Sequence, residues 1–99
     1  MKVNSIYINL PVNDLHKARA FWTKLGFTIN EQFSNDDGLC LVLNKGTIYS
    51  MLLTHKFFRT FTNRPVSDGS TTQVLFAIEV GSREKVDETI KLAIENGGS

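Results

Sequence analysis

Between Ile6 and Phe27 the hydrophobic period of the chain changes from two to about 3.6, and no other feature constrains the fold as strongly. Ile6, Ile8, Leu10 and Val12 alternate with Tyr7, Asn9 and Pro11, the pattern of a strand with one buried face. Leu15, Ala18, Phe21, Trp22 and Leu25 then fall at helical spacing and form one apolar stripe. Asn13 or Asp14 can accept hydrogen bonds from the first free N–H groups of that helix, and Gly26 can adopt the left-handed conformation that ends it. A strand, a tight turn and a helix folded back on the strand follow. The helix covers the even-numbered face, so a site is expected on the Tyr7/Asn9/Pro11 face.

The next elements are short. Phe27–Phe33 is rich in β-branched and aromatic residues and reads as a strand, and Ser34–Gly38 has turn chemistry. Leu39–Leu43 is apolar on both faces and predicts a buried strand; after the Asn44–Gly46 turn, Thr47–Thr54 predicts another. Phe57, Phe58 and Phe61 lie one turn apart, which favours a short helix over His55–Phe61. Thr62–Thr72 combines Pro, Asp-Gly and Ser/Thr and reads as a linker.

Beyond the linker the opening pattern returns, about 68 residues on. Val74, Phe76, Ile78 and Val80 alternate with Leu75, Ala77 and Glu79, which predicts a strand. Ser82 can cap a helix whose buried stripe is Val86, Ile90, Ala93 and Ile94, stopped by Gly97-Gly98. Three hairpin strands of the first copy have no counterpart before Ser99. The expected organisation is one domain: a first module over 1–61, a linker over 62–72, and an incomplete second module over 73–99.

Bulk properties exclude several classes. Eleven basic and ten acidic side chains leave a net charge of +1, with no basic stripe for nucleic acid. No apolar run approaches the roughly 20 residues of a membrane span, and no signal peptide is visible. The lone Cys40 cannot form an internal disulfide, so a reducing, cytoplasmic location is expected.

Few residues offer chemistry. His16 lies off the apolar stripe of its helix and reads as a surface residue. His55 follows the fourth strand, where a capping or turn role is favoured over a proton donor. Cys40, inside LCLVL, has no basic neighbour in sequence and is favoured as a small core residue over a nucleophile. The Phe57/Phe58/Phe61 cluster is favoured as core or subunit contact over ligand stacking. Glu79 could serve as a base, although solvent exposure near the strand's end is the simpler reading. The two histidines show no metal-binding spacing.

The stretches LPVNDLHKARAFWTKLGF, MLLTHKFF and EVGSREKVDETIKLAIENGG together resemble the vicinal oxygen chelate superfamily, which holds glyoxalase I, extradiol dioxygenases and the bleomycin and fosfomycin resistance proteins. Within it the chain looks most like a bacterial branch of lactoylglutathione lyase-like proteins. The resemblance implies an α+β fold of paired βαβββ modules around a cleft, the second module here being incomplete. It also implies about 30 further residues in typical members, ending in a strand with an acidic metal ligand. Enzymes of the superfamily hold a divalent metal with two residues from each module. On an ungapped alignment the first three ligand positions carry Tyr7, Leu52 and Leu75, and the fourth falls past Ser99.

Leucine has no lone pair to offer, so a metal-free member is expected. Its cleft would take an apolar or aromatic molecule and be lined by Tyr7 and Asn9, by Ser50, Leu52 and Thr54, and by Leu75 and Ala77. The alternative is a lyase or isomerase of the glyoxalase kind with a divalent metal on unusual ligands. A homodimer is expected as well, because an unpaired strand edge at Val74–Val80 invites a second chain.

Overall fold

We describe the protein from a computed structural model covering residues 1–72, 74–75 and 77–98. The elements run β1 (Ile6–Val12), α1 (Leu15–Lys24), β2 (Thr28–Asn35), β3 (Gly38–Asn44), β4 (Ile48–Thr54), α2 (His55–Phe58) with a 3₁₀ turn over Arg59–Phe61, and α3 (Arg83–Glu95). The strands form one sheet in the order β1-β4-β3-β2. β1 runs parallel to β4, and the two hairpin pairs are antiparallel. This is the expected α+β architecture, with one βαβββ module followed by α2, the 3₁₀ turn and α3.

Both long helices start and stop where their side chains dictate. Asp14 Oδ1 accepts from the Lys17 N–H at 3.1 Å, and Ser82 Oγ accepts from the Lys85 N–H at 3.2 Å. Gly26 and Gly97 take positive φ, and the amide after each donates back into the last turn, Phe27 to the Trp22 carbonyl and Gly98 to that of Ala93. That is the Schellman closure.

The core lies between the sheet and α1. Leu39, Leu41, Leu52 and Ile29 are buried there, with Leu10, Val12, Leu15, Ala18, Trp22, Phe27 and Leu43 packed around them. Leu10 and Val12 thus lie on the helix-covered face, as the period-2 reading requires. The Trp22 ring meets those of Phe21 and Phe27 edge-on, at centroid distances of 5.3 and 5.5 Å. An Arg19–Glu31 ion pair ties α1 to β2 on the surface. β1 forms one edge of the sheet and carries Pro11. β2 departs from regular pairing between Asn30 and Asn35. There the Ser34 hydroxyl accepts from the Cys40 N–H at 3.0 Å and donates to the Asn30 carbonyl at 2.7 Å, replacing ladder bonds.

Two expectations fail in the second half. Val74, Leu75 and residues 77–80 form no strand, and Phe76 lies outside the described residues. A strand persists only where its N–H and C=O groups find a ladder. β1 finds one in β4, the last strand of its own module, and nothing equivalent to β4 follows α3 within these residues. Residues 77–80 instead run past Ile8, Phe27, Leu43 and Ile48 on the α1 side of the sheet. The second correction concerns α3. Its half-buried residues are Thr89, Leu92, Ala93 and Asn96, whereas Val86, Ile90 and Ile94 are exposed at 42, 53 and 63%.

Gly38 sits opposite Leu53, and a Cβ there would come within 2.6 Å of Leu53 Cδ2 and 3.2 Å of the Leu52 carbonyl oxygen. Leu53 is itself buried and cannot swing clear. Gly38→Val should therefore destabilise the fold by about 1–3 kcal/mol in urea titration, with an unchanged m-value.

The Asp14 cap also titrates. The Lys17 amide it accepts from holds its carboxyl below the ordinary value of 3.8. Because the folded pKa is the depressed one, its contribution is complete above 3.8 and fades as pH falls through the lower folded value. Asp14→Asn keeps the acceptor and removes the titration, so its thermal midpoint should fall less steeply than wild type below pH 4.

Candidate functional site

Residues paired across a ladder share a face, so the registers sort every side chain of the sheet. Tyr7 pairs with Tyr49, Asn9 with Met51 and Pro11 with Leu53. The β3–β4 register adds Val42, Cys40 and Gly38 opposite those β4 positions, and the β2–β3 register adds Thr28 and Asn30. These residues make up the face turned away from α1.

The Tyr7 and Tyr49 rings stack at 4.8 Å with an interplanar angle of 9°. Tyr7 is 55% exposed. Tyr49 is half-buried, and its hydroxyl accepts from the Gly46 N–H at 2.7 Å, which fixes the ring against the β3–β4 turn. Beside it opens a cavity of about 420 Å³ lined by Thr28, Asn30, Val42, Lys45 and Tyr49. An aromatic wall, an apolar floor at Val42, two neutral polar side chains and one cation therefore converge on the open face. At the other end of this face, where α2 lies against β1 and β4, Leu53 is buried.

The residues expected to line the cleft divide between the two faces. Tyr7 and Asn9 are on the open one. Ser50 and Leu52 are on the other, because β4 pairs with β1 in a register that matches odd with odd and even with even. Ser50 is 2% exposed and donates its hydroxyl to the Ile8 carbonyl at 3.0 Å, joining the two parallel strands. Leu52 is 1% exposed and belongs to the core beneath α1. Thr54 shares their face, and its hydroxyl caps α2 by accepting from the Phe57 N–H at 3.2 Å. Leu75 is 89% exposed. Ala77 lies on the α1 side, next to Ile8 and Ile48.

Tyr49, Met51, Val42, Thr28, Asn30 and Lys45 were missed in the sequence. The available signal was parity: Tyr7 selects the odd residues of a parallel neighbour. It was masked by the run Met51-Leu52-Leu53, which shows no alternation.

The remaining candidates lie elsewhere in the fold. His16 is exposed. His55 opens α2 and borders a second cavity, of about 600 Å³, on the α1 side, with Trp22, Leu52 and Asp68 among its neighbours. Asp68 there is engaged by its own loop: the Ser70 hydroxyl and amide, donating at 2.6 and 2.9 Å, hold its carboxyl below the ordinary range. Phe57 and Phe61 pack edge-to-face at 5.3 Å. Glu79 is exposed.

The resemblance noted from the sequence implies a divalent metal, and the donors that the described residues place on the open face do not fit one. β1 presents Tyr7 and Asn9 there, and β4 presents Tyr49, Met51 and Leu53. Among the described residues no three His, Cys, Asp or Glu side chains come together. A phenol and a thioether are poor substitutes for the imidazoles and carboxylates such ions take.

A family model described as bleomycin resistance protein-like N-terminal matches residues 4–38. A hypothetical protein from S. aureus superposes with a TM-score of 0.77 at 25% identity, covering 98% of this chain and 72% of that one. A glyoxalase/bleomycin resistance protein/dioxygenase family enzyme from Burkholderia phytofirmans gives 0.74 at 23% identity, covering 92% and 71%. No curated protein matches the chain. The fold is thus one shared with a glyoxalase/bleomycin resistance protein/dioxygenase family enzyme, and the sequence likeness lies in residues 4–38. The matched residues span the opening strand, the first helix and the second strand.

Cys40 is 1% exposed, and burial raises its thiol pKa. Reaction with a disulfide reagent at pH 8 should accordingly be slow in the native protein and at least tenfold faster in urea.

Proposed function

We propose that the open face binds a small planar molecule, aromatic or largely apolar, without help from a metal. The observation that carries this reading is the Tyr7–Tyr49 stack beside the Val42 floor. Two rings already parallel at 4.8 Å form a pre-ordered platform on which a flat ligand loses little further side-chain freedom. Lys45, Thr28 and Asn30 would orient polar groups on its rim. The donor set on β1 and β4 supports the metal-free form over a lactoylglutathione lyase-like reaction, which needs a polarising cation at the substrate oxygens. A buried, unpaired Cys40 supports a reducing, cytoplasmic location.

Bleomycin, named in the matching family description, is the first compound to test, alongside a panel of planar heteroaromatics. Titration calorimetry of the metal-free protein should detect binding. Tyr49→Ala should weaken it about tenfold, since an aromatic contact contributes roughly 0.5–1.5 kcal/mol beyond its area, while His55→Ala should leave it unchanged. Turnover of a methylglyoxal–thiol adduct that appears with added zinc or nickel, and disappears in Tyr7→Phe, would instead favour the lyase.

A further inference from the structure

The side chains around the cavity beside Tyr49 are uneven in what they offer a ligand. Thr28, Val42, Tyr49 and Tyr7 stand in one row across the sheet, through the pairings Thr28–Val42, Val42–Tyr49 and Tyr49–Tyr7. Tyr7 stacks on one face of the Tyr49 ring, and the cavity of about 420 Å³ lies on the other side, toward β3 and β2. Its polar residues are Thr28, Asn30, Lys45 and Tyr49, and no carboxylate lines it. In two of these the acceptor is already engaged. Asn30 Oδ1 accepts from the Gln32 N–H at 3.1 Å. That donor is a backbone amide, so it fixes which end of the side chain is oxygen and leaves the NH₂ group to face a ligand. The Tyr49 hydroxyl oxygen accepts from the Gly46 N–H at 2.7 Å, which leaves its proton to donate. Lys45, exposed on the β3–β4 turn, adds a cation. It forms no ion pair among the described residues, where Glu31, next to Asn30 along β2, pairs with Arg19 of α1 instead.

Donors and one positive charge therefore gather at the rim, and the complement is a ligand with acceptor atoms and negative charge. A single ammonium matches a single unit of charge. A carboxylate supplies that charge on two oxygens, each able to accept more than one hydrogen bond. We infer that the ligand of the open face is a planar aromatic carboxylate. Its ring lies over Val42 against the face of Tyr49 that Tyr7 does not cover, and its carboxylate meets Lys45, the Tyr49 hydroxyl and the Asn30 amide. The inference rests on the reading of this face as a site for a flat molecule and adds the ligand's charge. An aromatic cation of the same shape would meet a like charge at Lys45, so the site discriminates by repulsion as well as by attraction.

Titration calorimetry of the metal-free protein with cinnamate, the neutral cinnamamide and the cation cinnamylammonium tests the assignment. Cinnamate should bind about threefold to tenfold more tightly than cinnamamide, and cinnamylammonium most weakly. Raising the ionic strength from about 0.01 M to about 1 M should remove most of the acid's advantage, because the screening length falls from about 30 Å to about 3 Å. Lys45→Met, at an exposed turn position, should bring cinnamate down to the affinity of cinnamamide and leave the amide's binding and the thermal midpoint unchanged. Tyr49→Ala should weaken both ligands. If cinnamamide binds as tightly as cinnamate, or cinnamate is indifferent to Lys45→Met, the charge assignment is overturned, and the flat-ligand reading stands as long as binding still depends on Tyr49. If cinnamate needs Lys45 but ignores Tyr49→Ala, the aromatic platform falls and the proposed ring placement falls with it. Binding of none of the three compounds overturns both.

Discussion

The parallel pairing of β1 with β4 is the constraint on which the rest of the molecule depends. It joins the first strand to the last of the module, so the helix and hairpins between them must fold into a closed unit. It also sets parity. With Ile6 opposite Ile48 and Val12 opposite Thr54, every even residue of both strands faces α1 and every odd one faces away. The Ser50 hydroxyl, donating to the Ile8 carbonyl from a buried position, secures that register from within the core. A slip of one residue would bury Tyr49 and Met51 and turn Leu52 outward, a change of several kcal/mol at the usual value per buried side chain.

That constraint explains which parts of the structure were legible beforehand. The strand–helix switch at Ile6–Phe27, the Asp14 and Ser82 caps and the two glycine stops are local, and local chemistry decides them. The hairpin strands were legible because Asn-Asp-Asp-Gly and Asn-Lys-Gly leave little alternative to turns. Which residues share the open face was not legible, since Ser50-Met51-Leu52-Leu53 carries no alternation and only the neighbour's register assigns its sides. Tyr7 and Asn9 could be read because β1 alternates cleanly; Tyr49 and Met51 could not.

The second half fails for a different reason. Its pattern of alternation followed by helical spacing matches the first half, and α3 forms where that pattern places it. Periodicity states what a segment could bury, and burial needs a partner. Among the described residues, Val74, Leu75 and residues 77–80 join no ladder, and the branched side chains of α3 are exposed. Local pattern and tertiary outcome diverge where a long-range partner is required.

Among the described residues β1 pairs on one side only, and Pro11 gives that edge an asymmetric character. The Ile6 amide donates inward to the Thr47 carbonyl, so in a parallel ladder the even residues of β1 face β4, and Tyr7, Asn9 and Pro11 direct their main-chain groups outward. Proline has no amide hydrogen to direct. An incoming strand can therefore register with Tyr7 and Asn9 and must leave the ladder at Pro11. The edge can accept a short, terminated addition while resisting the endless stacking that turns exposed strands into fibres.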